Sequence, residues 1–316
     1  MSRLSYETAE TLVYDPVAAN RTATRSLLYT IGFRRIETVS TLGDLHDCMK
    51  RRPPDLVLCE AQGAESELCK LIQDLRQGAT GYNPFIVIIV TAWENSGALV
   101  SNVINSGADD LLLRPFSTTV LGQRILSHIE RRKNFVITTD YVGPDRPREG
   151  GKPTNIQLFQ PPNSLKMKVK EPMTAEEATQ KLDVMLRTAR KTLNTEKLRR
   201  DGFQICILWR LLQDSQPCTP KYEADLIKLK ALTQTVAQRC TETEFAQAME
   251  HCDAVMGAIE GLEMNVDRNA SMHLLGHAAL SLNQVFTPEK SSTDHLAEID
   301  STVAMIRARD SQALAS

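Results

Sequence analysis

Glu60 is the first carboxylate in this sequence whose setting suggests chemistry. It follows the apolar run Leu56-Val57-Leu58-Cys59, with Pro53-Pro54-Asp55 before the run and Ala61-Gln62-Gly63 after it. A short continuous apolar run with a β-branched residue inside it reads as a parallel strand buried on both faces, where polar alternation is lost. In such sheets ligands and reactions sit just beyond the carboxyl ends of the strands, and Glu60 falls there. A second chemistry-bearing pair is His273 and His277, four residues apart and so on one helix face, as ligands on a zinc helix are. No glutamate follows His273 and no third ligand is evident, so packed or hydrogen-bonded histidines are the better account. The seven cysteines are scattered, with no CxxC; several fall on apolar faces and read as buried, reduced thiols. No metal and no cofactor are expected.

The elements that must position Glu60 alternate in type. Strands are expected at 11–14, 36–39, 56–59, 85–90 and 111–113, and helices at 18–31, 42–50, 66–77, 99–106 and 120–132. Gly32 and Gly107 stop two of the helices. Strand–helix alternation repeated in this way implies an α/β unit, a parallel sheet with helices on both faces and right-handed crossovers. The first strand ends at Asp15-Pro16, the fourth at Thr91-Ala92, and the fifth at Arg114-Pro115-Phe116. The opening ten residues are polar and are expected to be loosely held.

Gly107-Ala108-Asp109-Asp110 running through three leucines to Arg114-Pro115-Phe116 resembles the receiver domain of bacterial two-component response regulators. The run 54–59, Thr91-Ala92, and Asn20-Arg21 ahead of Gly32-Phe33 support the resemblance, which covers about residues 10–132. It implies a flavodoxin-like sheet order 2-1-3-4-5. It also implies a site: an aspartate ending the third strand that accepts a phosphoryl group, an acidic pair holding Mg²⁺, a Ser/Thr and a lysine. This chain departs from that pattern. Glu60 stands at the acceptor position, Asp15 keeps the first acidic place but Pro16 takes the second, Thr91 is kept, and Arg114 replaces the lysine. Leu111 falls where the family often carries a switching aromatic.

Those departures have chemical weight. Mg²⁺ demands near-ideal octahedral oxygen geometry, and exchanging a carboxylate for proline removes a ligand and a charge together. Glutamate is one methylene longer than aspartate, while near-attack alignment is sensitive to errors of about 1 Å. Arg114 presents a planar fork suited to a carboxylate, so a Glu60–Arg114 ion pair with Thr91 as hydroxyl partner is expected. Two readings of Glu60 remain: a partial mimic of the acyl phosphate, or an inert scaffold satisfying Arg114. Leu111 favours the second, and phosphorylation is expected to be absent. Asp15 is expected to cap the following helix rather than hold Mg²⁺. Trp93 is expected to cover the site.

Residues 133–172 lose periodicity, gather Gly and Pro, and carry more basic than acidic side chains. They read as a solvated basic linker; Tyr141-Val142-Gly143-Pro144-Asp145-Arg146 is similar to segments that follow receivers. From 173 to 316 an all-helical domain is expected, a bundle of four to six helices. Thr174-Ala175-Glu176-Glu177 is a capping box. Apolar stripes follow over 182–193, 205–212, 226–240, 245–259, 270–286 and 296–306, with a fresh cap at Thr241 and a frayed end from 310. A histidine-phosphotransfer reading fits poorly, because Gly276-His277 follows His273 where that family wants lysine and glycine.

The 42% hydrophobic and 24% charged composition is that of a globular chain, and a formal charge of −2 excludes a surface built throughout for nucleic acid. The basic residues Arg187, Arg190, Lys191, Lys197, Arg199 and Arg200 leave a nucleic-acid binder as a minor alternative. No apolar run reaches the roughly 18 residues of a membrane span and no signal-peptide pattern opens the chain, so a cytoplasmic location is expected. Together these features point to a non-enzymatic signalling protein. It would act through contacts of its helical domain with protein partners in a bacterial pathway, or with a second copy; a phosphorelay component is the alternative.

Overall fold

The computed structural model describes residues 4–80, 83–146, 158–171, 173–241 and 243–314. The chain divides into two compact units, Met1–Lys191 and Thr192–Ser316.

In the first unit β1 (Glu10–Tyr14), β2 (Arg35–Val39), β3 (Leu56–Glu60), β4 (Val87–Ala92) and β5 (Asp110–Leu113) form one parallel sheet in the order β2-β1-β3-β4-β5. The expected order holds. Helices α1 (Ala18–Ile31), α2 (Leu42–Arg51), α3 (Glu65–Arg76), α4 (Gly97–Ser106) and α5 (Thr118–Arg131) connect the strands. Successive strand residues point to opposite faces, and the core divides accordingly. Val57, Cys59, Ile88 and Val90 pack with Leu45, Leu68, Ile72 and Leu99 on one side. Leu56, Leu58, Val87 and Ile89 pack with Leu28, Leu121 and Ile125 on the other. All of β3 and β4 is buried, which is why their sequences read as unbroken apolar runs. The fourth strand starts two residues later than expected: Phe85 and Ile86 are buried ahead of it, so the apolar run reported burial beyond the paired segment.

The expected linker is not one in its described residues. Beyond α5 lie β6 (Phe135–Ile137), antiparallel to β7 (Val142–Pro144), and then α6 (Ser164–Lys170). Phe135, Ile137, Val142, Leu165 and Val169 are buried, and the last two join the core of the sheet. Lys168 is paired with the buried Asp55 at 2.8 Å. These apolar residues come in stretches too short to show a period. Gly107, at φ 89°, permits the close approach of β7: a Cβ there would lie 2.5 Å from the Val142 carbonyl. Asp109 is buried between Arg76 (2.8 Å) and Arg132 (2.8 Å), and both guanidiniums also face the Phe135 ring. Among the described opening residues, expected to be loosely held, Ser5 N–H donates to the Val169 carbonyl and Tyr6 packs on Phe33; residues 1–3 lie outside the described set.

Helix α7 (Ala175–Gln213) starts in the first unit and ends in the second. Its capping box forms, with Thr174 N–H to Glu177 Oε2 at 2.8 Å and Glu177 N–H to Thr174 Oγ1 at 3.2 Å. The second unit is all-helical, as expected. It holds the end of α7 with α8 (Pro220–Cys240), α9 (Met249–Glu263), α10 (Arg268–Phe286) and α11 (Ser292–Leu314). Ile205, Leu208, Leu229, Val255, Leu282, Phe286 and Ile299 form its core. Two corrections arise. Thr241 does not start a helix; its hydroxyl bonds back to the Gln238 carbonyl, and a 3-10 turn precedes α9. Helix α11 runs past 310 to Leu314, while residues 315–316 lie outside the described set.

Candidate functional site

The parallel register brings the carboxyl ends of four strands level: Tyr14 pairs with Cys59, Glu60 with Thr91, and Ala92 with Leu113. The residue ending β3 and those just after β1 and β5 therefore meet. Glu60 is 1% exposed, and Asp15 is fully buried. Glu60 Oε2 accepts from Arg114 Nε at 2.7 Å and from Thr91 Oγ1 at 2.8 Å, while Oε1 accepts from Gln62 N–H at 3.2 Å. Asp15 Oδ2 accepts from Arg114 Nη2 at 3.1 Å, and Oδ1 accepts from Val17 N–H at 2.8 Å. The expected Glu60–Arg114 pair is present, but the fork is not spent on one carboxylate. One guanidinium bridges two.

Arg114 Nη2 also reaches Thr24 Oγ1 at 3.1 Å, which anchors α1 to the site. Thr24 escaped the sequence reading because a hydroxyl on a helix's buried stripe looks like a gap in the apolar pattern. The expected capping role of Asp15 needs correction: the N-cap of α1 is Val17, and Asp15 instead closes a turn over Pro16 and neutralises Arg114. Burial pushes the Asp15 carboxyl up, and the Val17 N–H and Arg114 offset this only in part. Pro16 contributes only its carbonyl, which accepts from Arg21. Leu111 sits in β5 opposite Val90, with no ring or hydroxyl to report on the site.

A divalent cation does not fit this donor set. Both carboxylates already answer Arg114, each of their four oxygens has a donor, and Pro16 supplies no side-chain ligand. Trp93 lies on the β4–α4 loop, 47% exposed, on the rim of a neighbouring cleft that none of Asp15, Glu60, Thr91 and Arg114 lines. His273 and His277 are both exposed on α10, and no group of three potential ligand side chains occurs among the described residues.

The α/β unit has a flavodoxin-like fold, a five-stranded parallel sheet in the order 2-1-3-4-5 with flanking helices. The strand order with its flanking helices, followed by an all-helical region, carries that statement. No family model matches the chain, and no curated protein matches it. Among solved structures it is similar to a response regulator from Thermotoga maritima (22% identity over 38% of this chain and 96% of that one, TM-score 0.34). It is also similar to an orphan response regulator of H. pylori (20%, 38% and 95%, 0.33). A CheY-like receiver domain protein from Methanospirillum hungatei is a third (19%, 39% and 95%, 0.35).

Proposed function

We propose that the α/β unit is a pseudo-receiver in a response-regulator-like signalling protein, one that works without phosphorylation and carries out no catalysis. The observation that supports this best is the saturated network: Arg114 holds Glu60 and Asp15 together, and Thr91 is bonded to the same Glu60 oxygen. A carboxylate oxygen that already accepts two charge-assisted or hydroxyl bonds is a poor nucleophile, and moving it costs a buried ion pair. Among the two readings of Glu60, the inert scaffold is the better supported, because Leu111 offers no aromatic to read a phosphate-like state. Signalling output belongs to the helical unit, through protein contacts that include self-association; it presents Ile227, Leu274 and Met305 to solvent.

Incubation of the full chain with acetyl phosphate and Mg²⁺, read by intact mass, tests the proposal. The mass is expected to stay unchanged. A phosphoryl adduct that maps to Glu60 or Asp15 overturns it.

A further inference from the structure

Beside the buried network, the β3–α3 and β4–α4 loops enclose a cleft of about 210 Å³. Its floor is apolar, made by the buried Ala61, Ala92 and Leu99, and its walls carry Glu65, Trp93 and Glu94. No lysine or arginine lines it. Sites for small molecules and cofactors run to about 300–1,000 Å³, so this cleft has room for one long side chain. Its electrostatic sign is set twice over. Glu94 is exposed with no ion-pair partner among the described residues, and Glu65 is held in place by Asn102 Nδ2 on its Oε1 at 2.7 Å. Behind the floor, two carboxylates (Asp15 and Glu60) face a single guanidinium.

The cleft is also preformed. Ala61 N–H donates to the Thr91 carbonyl at 2.9 Å, and Arg114 N–H to the Ala92 carbonyl at 2.8 Å. Gln62 N–H is fixed by Glu60, and Ser96 caps α4 through the Leu99 N–H at 3.2 Å. The β3–α3 loop is thus bolted to the Glu60–Thr91–Arg114 group, and the β4–α4 loop is held at its two ends, by Ala92 and by the Ser96 cap, which lowers the ordering cost for a ligand entering the cleft.

We propose that this cleft binds an arginine side chain from a basic segment of a protein partner. The guanidinium would lie against the Trp93 indole between the carboxylates of Glu65 and Glu94, with its stem on Ala61, Ala92 and Leu99. Arginine suits the site better than lysine because its planar, weakly hydrated head both stacks on an aromatic face and forks to carboxylates. The inference stands apart from the reading of Glu60 as unphosphorylated, and either can fail without the other.

The test is ¹⁹F NMR on the full chain labelled with fluorotryptophan, whose two tryptophans, Trp93 and Trp209, give one signal each. The probe is a capped Ala-Ala-Arg-Ala-Ala peptide, with lysine and glutamate twins. The arginine peptide is expected to shift the Trp93 signal saturably and leave Trp209 unmoved. Glu94→Lys, a change at an exposed position, is expected to weaken the binding about tenfold or more, with unchanged amide exchange of peptides covering 56–60 and 87–92 reporting an intact sheet in the first unit. The lysine twin should bind more weakly, and the glutamate twin not at all. No saturable Trp93 shift, undiminished binding in Glu94→Lys, or equal binding of the lysine or glutamate twin each overturns the proposal.

Discussion

Replacing Arg76 with methionine should loosen the unit at the amino ends of its strands. Arg76 is fully buried and donates four hydrogen bonds: to the carbonyls of Gly107 (2.9 Å), Pro84 (2.6 Å) and Ile86 (2.9 Å), and to Asp109 Oδ2 (2.8 Å). Breaking a buried ion pair by removing one partner costs about 3–5 kcal/mol. Asp109 would keep Arg132 at 2.8 Å and the Ile88 N–H at 2.9 Å, so its charge is not stranded. The carbonyls of Gly107 and Pro84 would lose a donor, at about 1–3 kcal/mol each where water does not reach them. The two carbonyls together give a net loss of about 2–6 kcal/mol, and at 1.4 kcal/mol per tenfold that is about one and a half to four decades in opening equilibrium. Amide hydrogen exchange read by mass spectrometry on peptides covering 83–90 and 135–144 measures it without assuming that two units melt as one. Both peptides should exchange faster together, because the Arg76 head also packs on the Phe135 ring. The exposed Arg131→Met serves as the control and should change neither. An acceleration below tenfold, or one confined to 83–90, would refute the claim that this arginine clamps the β6–β7 hairpin to the sheet.

Arg114→Met should destabilise the first unit by about 3–5 kcal/mol at pH 7, since it leaves Asp15 and Glu60 buried without a cation. The loss should shrink on acidification as the Asp15 carboxyl, which burial already pushes up, takes up a proton; urea midpoints at pH 7 and 5 test this, and an equal loss at both counts against it. The wild-type unit should lose stability in acid. Burial pushes the Asp109 carboxyl up, but Arg132 and Arg76 outweigh it and hold the group below the ordinary range; at Asp110, burial is likewise outweighed by His128 and Arg124. A carboxyl depressed in the folded state stabilises above its unfolded value and loses that contribution as pH falls through its folded value, here below about pH 4. Asp15, raised in the fold, works in the opposite direction as pH falls toward its ordinary value, so the buried contribution to the decline is Asp109 and Asp110 set against Asp15. A urea midpoint that stays flat from pH 5 to 2.5 would exclude this account.

The parallel sheet was legible in the chain itself, because it rests on local signals, whereas its order and the meeting of Glu60, Thr91 and Arg114 were expected from the resemblance to receiver domains. Unbroken apolar runs mark strands buried on both faces, and the residue ending each run falls at the sheet's carboxyl edge whatever the packing. Tertiary structure alone decided how Arg114 divides its hydrogen bonds between Glu60 and Asp15 and recruits Thr24, since side-chain reach from α1 and β5 has no sequence period. It also decided that the described part of 133–171 belongs to the α/β unit. There Gly107 meets Val142, while Arg76 and Arg132 enclose Asp109 against Phe135. An arginine in sequence reads as surface, and only a buried carboxylate waiting far along the chain turns it into core.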